Sequence, residues 1–173
     1  MRKLACAGMA AVLCGLLSGC SGQKTSGGPP KLFRMGERVQ AGPLVYTVLD
    51  TEWMDQLTDA PTPRLPRSLF LSVRVSITNS GSVASEVPPL VLTDFRAKAY
   101  PELSDAEGLA EWLGSVRRVQ AAETVFGRVL FDVPAGDYRL KVTDDAEPEN
   151  QKSATIELPL QLTRPQAEPP PAQ

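Results

Sequence analysis

Histidine is missing from all 173 residues, which removes the usual general base near neutral pH and the commonest zinc ligand. Cysteine occurs three times, at Cys6, Cys14 and Cys20. Everything beyond Cys20 therefore lacks a thiol for a disulfide, a redox site, a metal or a nucleophile. Long apolar runs are missing too: the stretch Leu4 to Leu17 falls short of the roughly 20 apolar residues that a membrane-spanning helix needs. No long basic run occurs, and 18 basic residues stand against 20 acidic ones, so nucleic acid is not an expected partner. Carboxylates, hydroxyls, lysines and arginines are what remain for chemistry, and no spacing among them singles out a Ser/Lys or paired-carboxylate centre. The expectation is a protein that is not an enzyme and uses no cofactor and no metal.

What is present begins with an address. Met1-Arg2-Lys3 is a short basic segment, and the uncharged, Leu- and Ala-rich run behind it has the form of a secretion signal. The cleavage region reads Leu17-Ser18-Gly19-Cys20, the pattern of a lipobox. A branched apolar residue and two small ones let the extended backbone enter a peptidase, and the Cys20 thiol is the nucleophile that takes up the lipid. An ordinary signal peptide with an incidental cysteine is the alternative. On the lipobox reading residues 1–19 are removed and Cys20 becomes an acylated first residue, with Cys6 and Cys14 discarded. Each buried methylene contributes about 0.8 kcal/mol, so two or three acyl chains, palmitate among them, hold a protein where one chain is marginal. The expected location is the cell membrane or outer membrane, with the domain facing periplasm or exterior and the lipid on Cys20 as the membrane contact.

Residues 20–30 carry, after Cys20, the Gly/Ser/Pro-rich stretch Ser21 to Pro30, a flexible tether with an r.m.s. span of roughly 18 Å. Residues 164–173, with four prolines, form a disordered, polyproline-like tail. Between them, residues 31–163 have the size of one domain with its own core.

Period-two alternation dominates that domain, the mark of strands with one buried face. Leu69, Leu71, Val73, Val75 and Ile77 point one way and Phe70, Ser72, Arg74 and Ser76 the other. The same alternation runs through Thr124 to Val133, through Tyr138 to Thr143, and from Ala154 to Leu162. Leu44 to Leu49 is apolar on both faces and reads as a central strand. Pro159 has no N–H for a ladder, which predicts an edge strand or a bulge at that point. Asn79-Ser80-Gly81-Ser82 and Pro134-Ala135-Gly136-Asp137 supply turns, and Asp59 to Pro66 a longer loop. One segment departs from the alternation: Ser104 with Glu107 fits a capping box, and Ala106, Leu109, Ala110 and Leu113 share a face at helical spacing. The reading is an all-β, immunoglobulin-like antiparallel β-sandwich with one short crossover helix over Ser104 to Leu113.

Several runs, in order, resemble one family. Met35-Gly36-Glu37-Arg38-Val39 leads into Gly42-Pro43-Leu44-Val45-Tyr46-Thr47-Val48. Leu71-Ser72-Val73-Arg74-Val75-Ser76-Ile77-Thr78-Asn79-Ser80-Gly81 and Gly127-Arg128-Val129-Leu130-Phe131-Asp132-Val133-Pro134 follow. Together they resemble the telokin-like, immunoglobulin-type domain of unknown function found in bacterial lipoproteins and secreted antigens. The resemblance covers nearly all of Gly36 to Val142. It implies a sandwich and an envelope location and brings no catalytic residue with it.

Candidate contacts are sparse. Aromatics dominate recognition hot spots, which singles out Trp53, Tyr100 and Trp112 as binding candidates, with core packing or a lid over one sandwich end as the competing reading. Arg117 and Arg118 with Arg96 and Lys98 form either a solvated face or a basic patch toward phospholipid or an acidic partner. The acidic run Asp144 to Asn150 has oxygens for calcium but no EF-hand register, and reads equally as a solvated turn. The function these features point to is a non-enzymatic binding module for an envelope component, a protein or a glycan. A structural spacer or subunit of an envelope assembly is the alternative.

Overall fold

A computed structural model describes residues 31–58 and 62–160. Cys20, its lipobox, the tether, Leu162 and the proline-rich tail lie outside the described residues. Among the described residues there are eleven strands: β1 (Leu32–Arg34), β2 (Val39–Ala41), β3 (Leu44–Met54), β4 (Leu69–Asn79), β5 (Ser85–Glu86), β6 (Val91–Thr93), β7 (Ala99–Pro101), β8 (Arg118–Val119), β9 (Thr124–Val133), β10 (Tyr138–Thr143) and β11 (Ser153–Leu158). They form a five-stranded sheet of order β1-β11-β10-β6-β7, a four-stranded sheet of order β2-β3-β4-β9, and the small pair β5-β8. All pairings are antiparallel except β1 with β11.

The alternation in sequence becomes the core directly. Leu71, Val73, Val75 and Ile77 of β4 and Val129, Phe131 and Val133 of β9 face Leu92, Leu140, Val142 and Ile156 of the other sheet, all buried. A bulge between Val48 and Asp50 breaks the register of β3 against β4. One extra residue exchanges the faces beyond it. Leu44, Tyr46 and Val48 point into the core before the bulge, and Trp53 does so after it. Asp50 and Glu52 turn outward, where they meet Arg128 at 3.2 and 3.4 Å.

The crossover helix is not there. Among the described residues there is no helix, and Ser104 to Leu113 is a series of turns. Gly108 and Glu111 sit at φ of 86° and 57°, left-handed values that end any helical run. The capping box does not close, because the Glu107 N–H goes to Asp105 Oδ1 at 3.0 Å. The main chain finds better partners on the edge of β9: Arg128 N–H donates to Glu111 O at 2.8 Å and Leu113 N–H to Arg128 O at 3.0 Å. A helix this short is marginal by itself, whereas a sheet edge offers ready-made ladder bonds. The apolar spacing still had a cause. Ala106, Leu109 and Trp112 cover Phe70, Leu130 and Leu57 in a second, smaller core on the outer face of the four-stranded sheet.

Pro159 also has a different consequence from the one expected. β11 is neither an edge nor bulged; it lies between β1 and β10 and simply stops at Leu158. The next N–H, from Leu160, donates to Asp137 Oδ1 at 2.7 Å.

Candidate functional site

The bulge in β3, the turn before β10 and the β6–β7 hairpin together assemble an aromatic cluster at one end of the sandwich. Tyr138 is its centre. It is the first residue of β10 and is buried, and its hydroxyl donates to Pro134 O at 2.7 Å. Burial pushes its phenol up to about 12, since removal from water penalises the charged form. Trp53 packs against it at 6.3 Å between ring centroids, tilted by 43°. Tyr100, from β7, meets it edge to face at 5.7 Å. Two of the three aromatic candidates are thus brought together by a third ring that sequence reasoning placed only as a strand residue.

Each ring of the cluster borders its own groove. Tyr138 lines one of about 520 Å³ with Met35, Phe95 and Pro159. Trp53 lines a second of about 520 Å³ with Met54 and Leu69. Tyr100 lines a third of about 600 Å³ with Arg67, Lys98 and Pro101. The β6–β7 hairpin between the first and third is set by Asp94. Its carboxylate accepts the N–H of Arg96 at 2.8 Å, the N–H of Lys98 at 2.9 Å and the Tyr100 hydroxyl at 3.3 Å. These bonds, the one from Lys98 N–H foremost, hold the Asp94 carboxyl below its usual range. The tightened turn throws Phe95 outward at 82 % exposure. Phe95 was not among the candidates; the signal was an aromatic between two charged residues, Asp94 and Arg96, where a turn would ordinarily be polar.

The remaining candidates part company. Trp112 is half-buried in the small outer core and bridges to Arg128 on β9, so it stabilises the crossover and does not join the aromatic end. Arg117 is neither a solvated residue nor part of a patch. It is 5 % exposed and forms a buried ion pair with Glu102, and burial lowers its pKa. Arg118 lies on β8, whose partner β5 is tied to Asp145 through the Glu86 N–H at 2.9 Å. That places it toward the β10–β11 hairpin, whereas Arg96 and Lys98 stand at the aromatic end. In the acidic run, Asp144 is buried and its Oδ1 accepts the Lys152 N–H at 2.8 Å. Asp145 holds β5. The loop spends its two aspartates on main-chain amides. Among the described residues no group of three acidic, Cys or His side chains converges as a metal site.

These features define an immunoglobulin-like β-sandwich with a polar, structurally committed end and an aromatic, grooved end. Residues 33–153 match the family described as Domain of unknown function (DUF4352), and the chain belongs to it. No curated protein matches the chain. Among solved structures, the yjhA protein from Bacillus subtilis is similar at 16% identity and a TM-score of 0.57, over 73% of this chain and 98% of that one. A functionally unknown protein from Listeria monocytogenes is similar at 13% identity and a TM-score of 0.52, over 72% and 82%. A secreted protein from Mycobacterium tuberculosis, MPT63, follows at 13% identity and a TM-score of 0.47, over 76% and 98%. The first two carry the sandwich fold. Among the described residues no helix is long and apolar enough to cross a membrane.

Proposed function

We propose that the chain is a lipid-anchored, non-enzymatic binding module of the bacterial envelope, with the aromatic end of the sandwich as its contact surface. The observation that carries this reading is the position of that end relative to the point where the chain enters the domain. Leu32 pairs with Thr155 and Arg34 with Glu157, so β1 comes in from the side of the β10–β11 hairpin and runs toward Leu158. Leu158 is paired with Tyr138, in the aromatic cluster. On this reading the lipid on Cys20 precedes the hairpin-side start of β1, and the aromatic end is the one toward which the entering chain runs. Exposed Phe95 and the three grooves at that end have the apolar centre and polar rim of a recognition surface.

Two measurements test this. Cys20→Ser is expected to move the protein from the detergent phase to the aqueous phase on partitioning; unchanged partitioning overturns the anchor. Affinity capture from detergent-solubilised envelopes is expected to lose its partner with Phe95→Ala, a fully surface change. Retention by Phe95→Ala favours the spacer.

A further inference from the structure

The groove beside Tyr100 differs from the other two in charge. It lies where the edge of the five-stranded sheet, β7, approaches the edge of the four-stranded sheet, β9. Three cations line it, Arg64, Arg67 and Lys98. Its acid, Asp132, is already engaged: Oδ2 accepts the Arg67 N–H at 2.7 Å and Oδ1 the Ser68 N–H at 2.9 Å. Arg64 is paired with Asp105 at 3.2 Å. The guanidinium of Arg67 and the ammonium of Lys98 are in no ion pair among the described residues. Lys98 Nζ stands 4.7 Å from the centre of the Tyr100 ring. In a chain of net charge −2, two cations outside any ion pair in one groove, Lys98 over the Tyr100 ring and Arg67 along the same lining, make a local field opposite to that of the whole.

The main chain here offers little to a peptide strand. Pro101 has no N–H to give from β7, and the Leu130 carbonyl of β9 already accepts the Leu103 N–H at 2.8 Å. Strand addition depends on a row of free edge groups. Recognition in this groove therefore runs through side chains: charge from Arg67 and Lys98, and the ring and apolar flank of Tyr100 and Leu65.

From the cations of Arg67 and Lys98 in the groove that Tyr100 lines, where Pro101 and the bonded Leu130 carbonyl interrupt the row of edge groups a strand would use, we infer that this site binds an acidic glycan of the envelope, one bearing carboxylate or phosphate groups. The inference rests on reading the aromatic end as the contact surface and adds the chemistry of its ligand. An arginine fork suits such groups in two-point contact.

Binding is tested on the chain from residue 20 onward carrying Cys20→Ser, so that the result does not depend on the anchor. Polygalacturonate, poly-glutamate and dextran are the probes, each at low and high salt. The expected result is binding to polygalacturonate that weakens with salt, with Arg67→Ala and Lys98→Ala each reducing affinity about tenfold at an unchanged melting temperature. Equal binding of poly-glutamate overturns the choice of glycan over acidic peptide, binding of dextran overturns the role of charge, and no binding to polygalacturonate overturns the site. Partner capture lost in Phe95→Ala without polygalacturonate binding leaves the contact surface standing and removes only this ligand.

Discussion

The two ends of the sandwich handle polar groups in opposite ways. At the end of the β10–β11 hairpin, polar side chains are consumed by structure. Asp144 and Asp145 bind main-chain amides, the Tyr46 hydroxyl donates to Thr143 O at 2.7 Å, and Arg117 is sealed against Glu102. At the aromatic end, Asp94 is similarly spent on its own hairpin, but Arg67, Lys98 and Phe95 are left facing water. An end whose aspartates and tyrosine hydroxyl are bound to main chain adds rigidity, and an end with exposed cations and an aromatic is where a partner gains contacts. Raw charge count does not separate the two; the partners of each charge do.

The sharpest way to break this contrast is at Arg117. Glu102 directly follows β7 and Arg117 directly precedes β8, so their buried pair clasps the base of the crossover between them. Arg117→Met strands a carboxylate in the interior, and the expected loss is about 3–5 kcal/mol by denaturant unfolding. The double variant with Glu102→Leu removes both charges and is expected to regain most of that loss, since a well-packed apolar pair often replaces a buried ion pair at no cost. A single variant as stable as wild type would mean that the hairpin end is not held from within.

A smaller effect is expected at Gly127, midway along β9. A Cβ there would stand 2.6 Å from Glu111 O and 2.6 Å from Leu113 Cγ, so the glycine is the space through which the crossover reaches the strand. Gly127→Ala is expected to cost about 1–3 kcal/mol and to shift Trp112 fluorescence as the crossover lifts. The fold of the aromatic end should not change, because Trp53, Tyr100 and Tyr138 are held by packing on one another and on the main core.

These two cases mark what the sequence made legible. Strand alternation is a one-dimensional record of a face, and β4, β9, β10 and β11 followed from it, while only the first part of β3 was legible, as the apolar run Leu44 to Leu49. The apolar spacing of Ala106, Leu109 and Leu113 satisfied a helical template equally well, but main-chain bonding to β9 decided the outcome, and no local pattern encodes an edge contributed by residues further along the chain. The site had the same limit. Trp53 and Tyr100 were visible as isolated aromatics, whereas their meeting depends on a bulge at Leu49 and on Tyr138, which looked like one more core position. Arg117 looked solvated because a doublet of arginines usually is, and only the fold supplied Glu102 to bury it.

The finest test concerns the aromatic end alone and uses pH. Tyr138 has its phenol raised from 10.0 to about 12, first by burial, with the nearby Tyr100 and Asp94 adding to it. A group whose folded pKa is raised contributes stability that is complete below its unfolded value and is lost as the pH climbs to the folded one. The Tyr138 contribution is therefore intact at neutral pH and disappears between about pH 10 and 12. Tyr46 is raised as well, mainly by burial at the opposite end, so wild type alone cannot apportion the change. Tyr138→Phe separates them. It removes the hydroxyl bond to Pro134 O at a neutral-pH cost of about 0.5–1.5 kcal/mol. It should also shrink the late tyrosinate absorbance step by one phenol, leaving that of Tyr46. If the step is undiminished in Tyr138→Phe, the Tyr138 ring is not sealed between Trp53 and Tyr100, and the aromatic end is more open to water than its packing indicates.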